Sequence, residues 1–186
     1  MKNNLFITTA FIIFSFIITP SALADVEQAT MQVDGMTCPF CIYGIEKKLK
    51  SVEEVKDAEA NLKSGTVDIT FKENAVVSIK RLDKAVDDSG FTPGALEITA
   101  SGTLEQDKLD DKEFPALKVS GSDQVFLLTG TKDHGQEEYI TPEKLKELSD
   151  AAASNGGNIT ITGHVHQHPG DLPLALSVEN FTPDAS

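Results

Sequence analysis

Cys38 and Cys41 are the only thiols in the chain, three residues apart in Gly35-Met36-Thr37-Cys38-Pro39-Phe40-Cys41. Two thiolates on one short segment can clamp a soft metal ion, or cycle between dithiol and disulfide. A second reactive run is Gly163-His164-Val165-His166-Gln167-His168, which holds three of the four histidines. Residues two apart on a strand share a face. The three imidazoles would then line up beside Thr160 and Thr162, with Ile159, Ile161 and Val165 turned to a core. Imidazole suits Cu(II), Zn(II) or Ni(II), so His164, His166 and His168 are either a weaker second site for a harder ion or a His-rich polar face. Same-face residues lie about 6.5–7 Å apart, so two imidazoles meet on one ion only by leaning together. His134, beside Asp133 and Gly135, reads as a loop residue. No Ser/His/Asp grouping, phosphate loop or paired-carboxylate motif stands out, which points away from an enzyme.

The elements around the cysteines are legible from periodicity. Ala29, Met31 and Val33 alternate as a strand does, and Ile42, Ile45 and Leu49 recur at helical spacing. The cysteines therefore belong to a strand-to-helix loop, where the helix dipole and free N–H groups favour thiolate over thiol. Ala58, Ala60 and Leu62, the turn Lys63-Ser64-Gly65, then Val67, Ile69 and Phe71 read as a hairpin with one buried face. Ile79, Leu82 and Val86 form an amphipathic helix that stops near Gly90. A last strand follows Pro93-Gly94 through Leu96 and Ile98.

From Thr99 the chain changes character, giving an expected division into residues 25–98 and 99–186. A strand runs through Ile98, Ala100, Gly102 and Leu104 into an acidic turn, Asp107 to Glu113. Leu117 and Val119 mark another strand and Val125 to Leu128 a third. Thr141-Pro142-Glu143 is a helix start, with a capping hydroxyl, proline at the first position and an acid in the first turn. That helix ends near Asn155-Gly156-Gly157, and strands Ile159–Val165 and Leu174–Val178 follow. The order βββαββ is that of an oligonucleotide/oligosaccharide-binding (OB) barrel, and Gly102 suits a bend in its long first strand. Fold does not give function here, and a structural or docking module is the plain alternative.

Residues 1–24 read as a secretory signal peptide: Lys2, an apolar run from Leu5 to Thr19, and an Ala22-Leu23-Ala24 ending. The run is shorter than the ~18 residues of a spanning helix. The expected destination is a bacterial periplasm, with no membrane insertion after cleavage. The formal net charge of −13 becomes −14 once Lys2 is removed (15 basic residues against 29 acidic). That balance disfavours nucleic acid and anionic membranes as partners.

Gly-Met-Thr-Cys-x-x-Cys on the first loop of a short domain resembles the heavy-metal-associated family, which includes periplasmic mercury-binding proteins, copper metallochaperones and N-terminal modules of metal-pumping ATPases. The resemblance covers roughly Glu27 to Ile98. It extends to Gly44-Ile45-Glu46-Lys47-Lys48-Leu49, Gly65-Thr66-Val67-Asp68-Ile69-Thr70-Phe71 and Ala85-Val86-Asp87-Asp88-Ser89-Gly90-Phe91. It implies an α+β, ferredoxin-like βαββαβ unit with a metal held by Cys38 and Cys41, an aromatic near the metal at Phe91, and Met36 turned inward. Thiolates select Cu(I), and the resemblance adds Hg(II). Structural Zn(II) wants four protein ligands and this loop offers two. The expected role is sequestering the ion or handing it to a membrane metal transporter or another metal-carrying protein, with Lys47, Lys48 and Lys50 as either a docking flank or an ordinary solvated face. Two rivals remain. Cys-Pro-Phe-Cys resembles oxidant dithiol motifs, which would make a thiol-disulfide oxidoreductase. A purely structural disulfide is weaker still, because so small a loop adds little stability.

Overall fold

The computed structural model describes residues 26–109, 112–131, 137–167 and 173–183. The expected signal peptide, His134 and His168 lie outside them. The chain is mixed α+β. It runs β1 (Val26–Asp34), α1 (Pro39–Leu49), β2 (Val55–Asn61), β3 (Thr66–Phe71), α2 (Ile79–Asp87) and β4 (Thr92–Leu109). It continues with β5 (Lys112–Val119), β6 (Val125–Thr131), β7 (Glu137–Glu138), α3 (Pro142–Ala153), β8 (Asn158–His166) and β9 (Leu174–Pro183). No helix among the described residues is long and apolar enough to cross a membrane.

The first six elements form the ferredoxin-like unit, with strands in the order β2-β3-β1-β4. Alternation decides its faces. Ala29, Met31, Val33, Val67, Ile69, Leu96 and Ile98 are buried in one core with Ile45 and Leu49 of α1 and Leu82 and Val86 of α2. The opposite face is polar. One row across it reads Glu59, Asp68, Thr30, Glu97, each directly opposite the next, and Thr30 donates a 2.8 Å hydrogen bond to Asp68.

β4 is one uninterrupted strand of 18 residues, and it passes through the expected boundary between Ile98 and Thr99. Over Thr92–Ala100 it pairs with β1, and over Gly102–Leu109 with β5 on the same edge. On its other edge β8 covers Leu96 to Thr103. The edge that a ferredoxin-like sheet would leave open is therefore filled, which removes a template for pairing with another chain. The pairings β4–β5, β5–β6, β6–β9, β9–β8 and β8–β4 return to their starting strand, and β6–β9 is the one parallel pair among them. Gly102 sits where β4 changes partners. A Cβ there would lie 2.1 Å from the Lys118 carbonyl oxygen, so only glycine permits the approach of β5.

One hydrophobic cluster runs through both halves, from Met31 and Leu82 to Phe126 and Ile161. Buried Gln124 ties them further by accepting a 3.1 Å hydrogen bond from the Val77 N–H. α3 starts where its sequence indicates: Thr141 is the N-cap and its hydroxyl accepts from the Lys144 N–H at 3.2 Å. The acidic turn expected over Asp107–Glu113 is narrower. Asp107, Lys108 and Leu109 pair with Phe114, Glu113 and Lys112, because the hairpin extends the strands past their apolar core. β7, two residues against Gly130 and Thr131, carries no sequence pattern that would reveal it.

Candidate metal centre

β1 delivers the chain to the cysteine loop, and Gly35 turns it with a φ of +95°, a region that side-chained residues rarely adopt. Met36 then dips into the core, 7% exposed, the inward orientation that the resemblance implies. Cys38 is the N-cap of α1 in an extended conformation, and Pro39 occupies the first helical turn, where a missing N–H costs nothing. Cys41 follows in that turn, so the helix begins two residues earlier than Cys41. Phe91 packs beside the loop, since the next residue, Thr92, pairs with Asp34 and a Cβ on Gly35 would lie 3.6 Å from its ring.

Cys38 is half-buried and disulfide-bonded, and no described cysteine is free. The arrangement is the oxidised form of the loop, and a thiolate pair is reached from it by two-electron reduction. Phe40 is 92% exposed and Tyr43 is 70% exposed, so two aromatic rings stand in solvent within five residues of Cys38. The lysines are elsewhere. Lys47 and Lys48 lie in the last turn of α1, where they complement the dipole's negative end. That is about 13 Å along the axis from Cys38 at 1.5 Å per residue. Lys50 contacts Asp57 at 2.6 Å, a hydrogen bond that raises the Lys50 pKa and lowers that of Asp57. The surface around the cysteines is therefore apolar and aromatic, and the basic flank belongs to the opposite end of the helix.

Residues 30–92 match the heavy-metal-associated domain family. The chain is 35% identical over 65 residues to the copper chaperone CopZ of Bacillus subtilis (strain 168), covering 35% of this chain and 93% of that protein. The chain belongs to the heavy-metal-associated domain family. A second relative, the copper chaperone CopZ of Staphylococcus aureus (strain bovine RF122 / ET3-1), is 29% identical over 65 residues, 35% of this chain and 94% of the relative. Among solved structures, oxidized MerP from Ralstonia metallidurans CH34 is similar over 37% of this chain and 94% of its own, at 29% identity and a TM-score of 0.34. The heavy-metal-associated match ends at residue 92, at the first residue of β4.

The histidine run lies on β8, beyond that match. Ile159, Ile161 and Val165 are buried, and His164 and His166 take the other face, as the alternation predicts. His168 is outside the described residues. Among the described residues the structure gathers a different group around His164. His164 Nε2 lies 3.1 Å from Glu179 Oε1, Glu97 stands directly opposite His164 across β4–β8, and one donor atom from each of the three lies within 4.8 Å of the others. His164 Nδ1 and His166 Nε2 are buried without a hydrogen-bond partner. Glu97 and Glu179 were not visible as site residues in the sequence. The one available signal was Gly163, since a glycine inside a strand pattern marks a bulge or a close backbone approach.

Proposed function

We propose that this protein is an exported carrier of a thiophilic ion, Cu(I) or Hg(II), which it sequesters or hands over through Cys38 and Cys41. The observation that carries this reading is the position of Cys38: the N-cap of α1, on an accessible Gly-Met-Thr-Cys-x-x-Cys loop beside exposed Phe40 and Tyr43. Reduction of the Cys38 disulfide takes two electrons and yields two thiolates, and the helix N-terminus stabilises their charge. Two soft ligands on an open loop leave the bound ion exposed to attack by a partner's thiolate, which is what transfer requires. The same pair is too few for a structural Zn(II). The similarity to the copper chaperone CopZ supports copper as the ion, and in this reading a metal transporter or another metal-carrying protein is the partner. The protein is not an enzyme in this reading.

Residues 1–24 act as a cleaved signal peptide, residues 25–98 form the metal-binding domain in the periplasm, and residues 99–186 form an OB-type barrel. The circuit of strand pairings and the helix between β6 and β8 support the barrel. Native mass spectrometry of the protein isolated from a periplasmic fraction under anaerobic, reducing conditions tests the function. The expected result is a mass increment of one copper or one mercury. A chain with both thiols reduced and only Zn(II) or no metal bound would overturn it.

The disulfide at Cys38 is the observation that favours a second reading, a thiol-disulfide oxidoreductase using Cys-Pro-Phe-Cys. The βαββαβ setting speaks against it. Turnover of insulin reduction at the rate of a dedicated disulfide catalyst would establish it in place of the carrier.

A further inference from the structure

We propose that Glu97, His164 and Glu179 form a second, thiol-free site for a divalent ion of the Zn(II) or Cu(II) class. It stands apart from the cysteine loop and does not depend on that reading.

The site is made by a defect in the β8–β9 ladder. Thr162 pairs with Asn180, but Gly163 pairs with Val178, so Glu179 is an extra residue on β9. Regular pairing would have placed Glu179 opposite Gly163, on the face where Ile161 and Val165 are buried. The bulge instead puts Val178 into the core, 4% exposed, and turns Glu179 out to the face of His164. Gly163 is what permits it. A Cβ at that position would fall 1.9 Å from the Ser177 carbonyl oxygen and 2.9 Å from its carbon. Backbone, not a flexible side chain, occupies that space.

The charge arrangement points to a cation. Two carboxylates are gathered around one imidazole on a strand face, and among the described residues neither is ion-paired to a lysine or arginine. Asp68 and Glu59 continue the same row of the sheet, adding negative potential. Among the described residues His164 is held by the Glu179 contact, with Nδ1 buried and unpartnered. Like charges placed together without a counter-ion are unfavourable, and a bound cation removes that cost.

The donor set selects the ion. One imidazole nitrogen and two carboxylate oxygens suit borderline divalent ions, whereas Cu(I) and Hg(II) prefer the thiolates. Ligands about 2.1 Å from a tetrahedral ion are about 3.4 Å from one another. The His164–Glu179 separation of 3.1 Å already fits, and a Glu97 carboxylate oxygen lies within 4.8 Å of both. Three protein ligands leave a fourth position for water or a partner's donor.

The test uses the chain carrying Cys38→Ser and Cys41→Ser, so that no thiol competes. Zn(II) is titrated against a chromophoric chelator, and Cu(II) is followed by its ligand-field spectrum. One equivalent of binding is expected. Loss of even an outer-shell partner weakens metal affinity about 10–100-fold, so Glu97→Gln, Glu179→Gln and His164→Gln should each weaken it by at least about 100-fold. Circular dichroism and thermal melting must show that each variant keeps the fold. His166→Ala should leave binding within a few-fold of the parent. The proposal is overturned if the thiol-free chain binds neither ion tighter than millimolar, or if folded Glu97→Gln and Glu179→Gln variants bind unchanged. Binding that depends on His166 and not on the carboxylates would also overturn it.

Discussion

The cysteine loop and the β4–β8–β9 seam place reactive groups in opposite ways. The loop puts Cys38 at a helix end, among exposed rings, with its neighbours fixed by local turns and caps. The seam collects Glu97 from β4 and His164 and Glu179 from the consecutive strands β8 and β9, held by sheet register and one bulge. A loop at a helix terminus presents ligands that a partner can approach and replace. A sheet fixes the backbone positions of its groups through register, and only their side chains can move. The contrast separates donor chemistry as well: soft sulfur at the loop, oxygen and nitrogen at the seam.

The largest expected effects come from two glycines at close strand approaches, Gly102 against β5 and Gly163 against β9. Gly102→Ala and Gly163→Ala each drive a Cβ into backbone, at 2.1 Å and 1.9 Å from a carbonyl oxygen. Overpacking that cannot relax costs roughly 3 kcal/mol or more, and urea melts should show it. Reduced Gly163→Ala that remains folded should bind Cu(I) at the cysteines as before, since the bulge is remote from the loop. Altered Cu(I) affinity in that variant would show that the two regions are coupled.

Truncating either half's core tests whether the regions fold together. Leu82→Ala and Phe126→Ala remove fully buried side chains from opposite halves. Each is expected to cost about 2–5 kcal/mol. Because β4 and one hydrophobic cluster are common to both halves, each substitution should shift a single cooperative transition. Two separate transitions, each sensitive to one substitution, would show independent folding.

Smaller effects are local. Thr141→Ala removes the N-cap of α3 and should cost about 1 kcal/mol, read by thermal melting, with no effect at the cysteines. Asp83, half-buried on α2, has a raised pKa because of desolvation and then Asp87. The folded state therefore holds its proton more tightly than the unfolded one. The stabilising contribution is present below the unfolded value and is lost as pH rises through the folded one. Asp83→Asn should stabilise the protein at pH 7 by no more than about 0.5 kcal/mol, solvent screening considered, and have no effect near pH 3.

What the sequence reveals follows the same divide. The cysteine loop is legible because its logic is local: the strand of Ala29, Met31 and Val33, Gly35, and the helix of Ile45 and Leu49 lie in one stretch of chain. The core face of β8 is legible for the same reason, since alternation places Ile159, Ile161 and Val165 without reference to neighbours. The carboxylates at His164 are not. Glu97 meets it through a pairing between strands far apart in the chain, and Glu179 through a register shift that alternation would place on the wrong face. The continuity of β4 was hidden differently. Its two halves each look like a strand, and the change of character at Thr99 marks a change of pairing partner, not a break in the backbone.

The proposed carrier function rests on two thiolates at one helix end, and anaerobic Cu(I) titration against a chromophoric chelator reads them directly. The reduced protein should take up one equivalent, and the disulfide form none. Cys38→Ser together with Cys41→Ser should abolish uptake while leaving the melting curve in place. If that double variant still withdrew one equivalent of Cu(I) from the chelator at the same competition, the ion would be held elsewhere, and the cysteine loop would not be the metal centre.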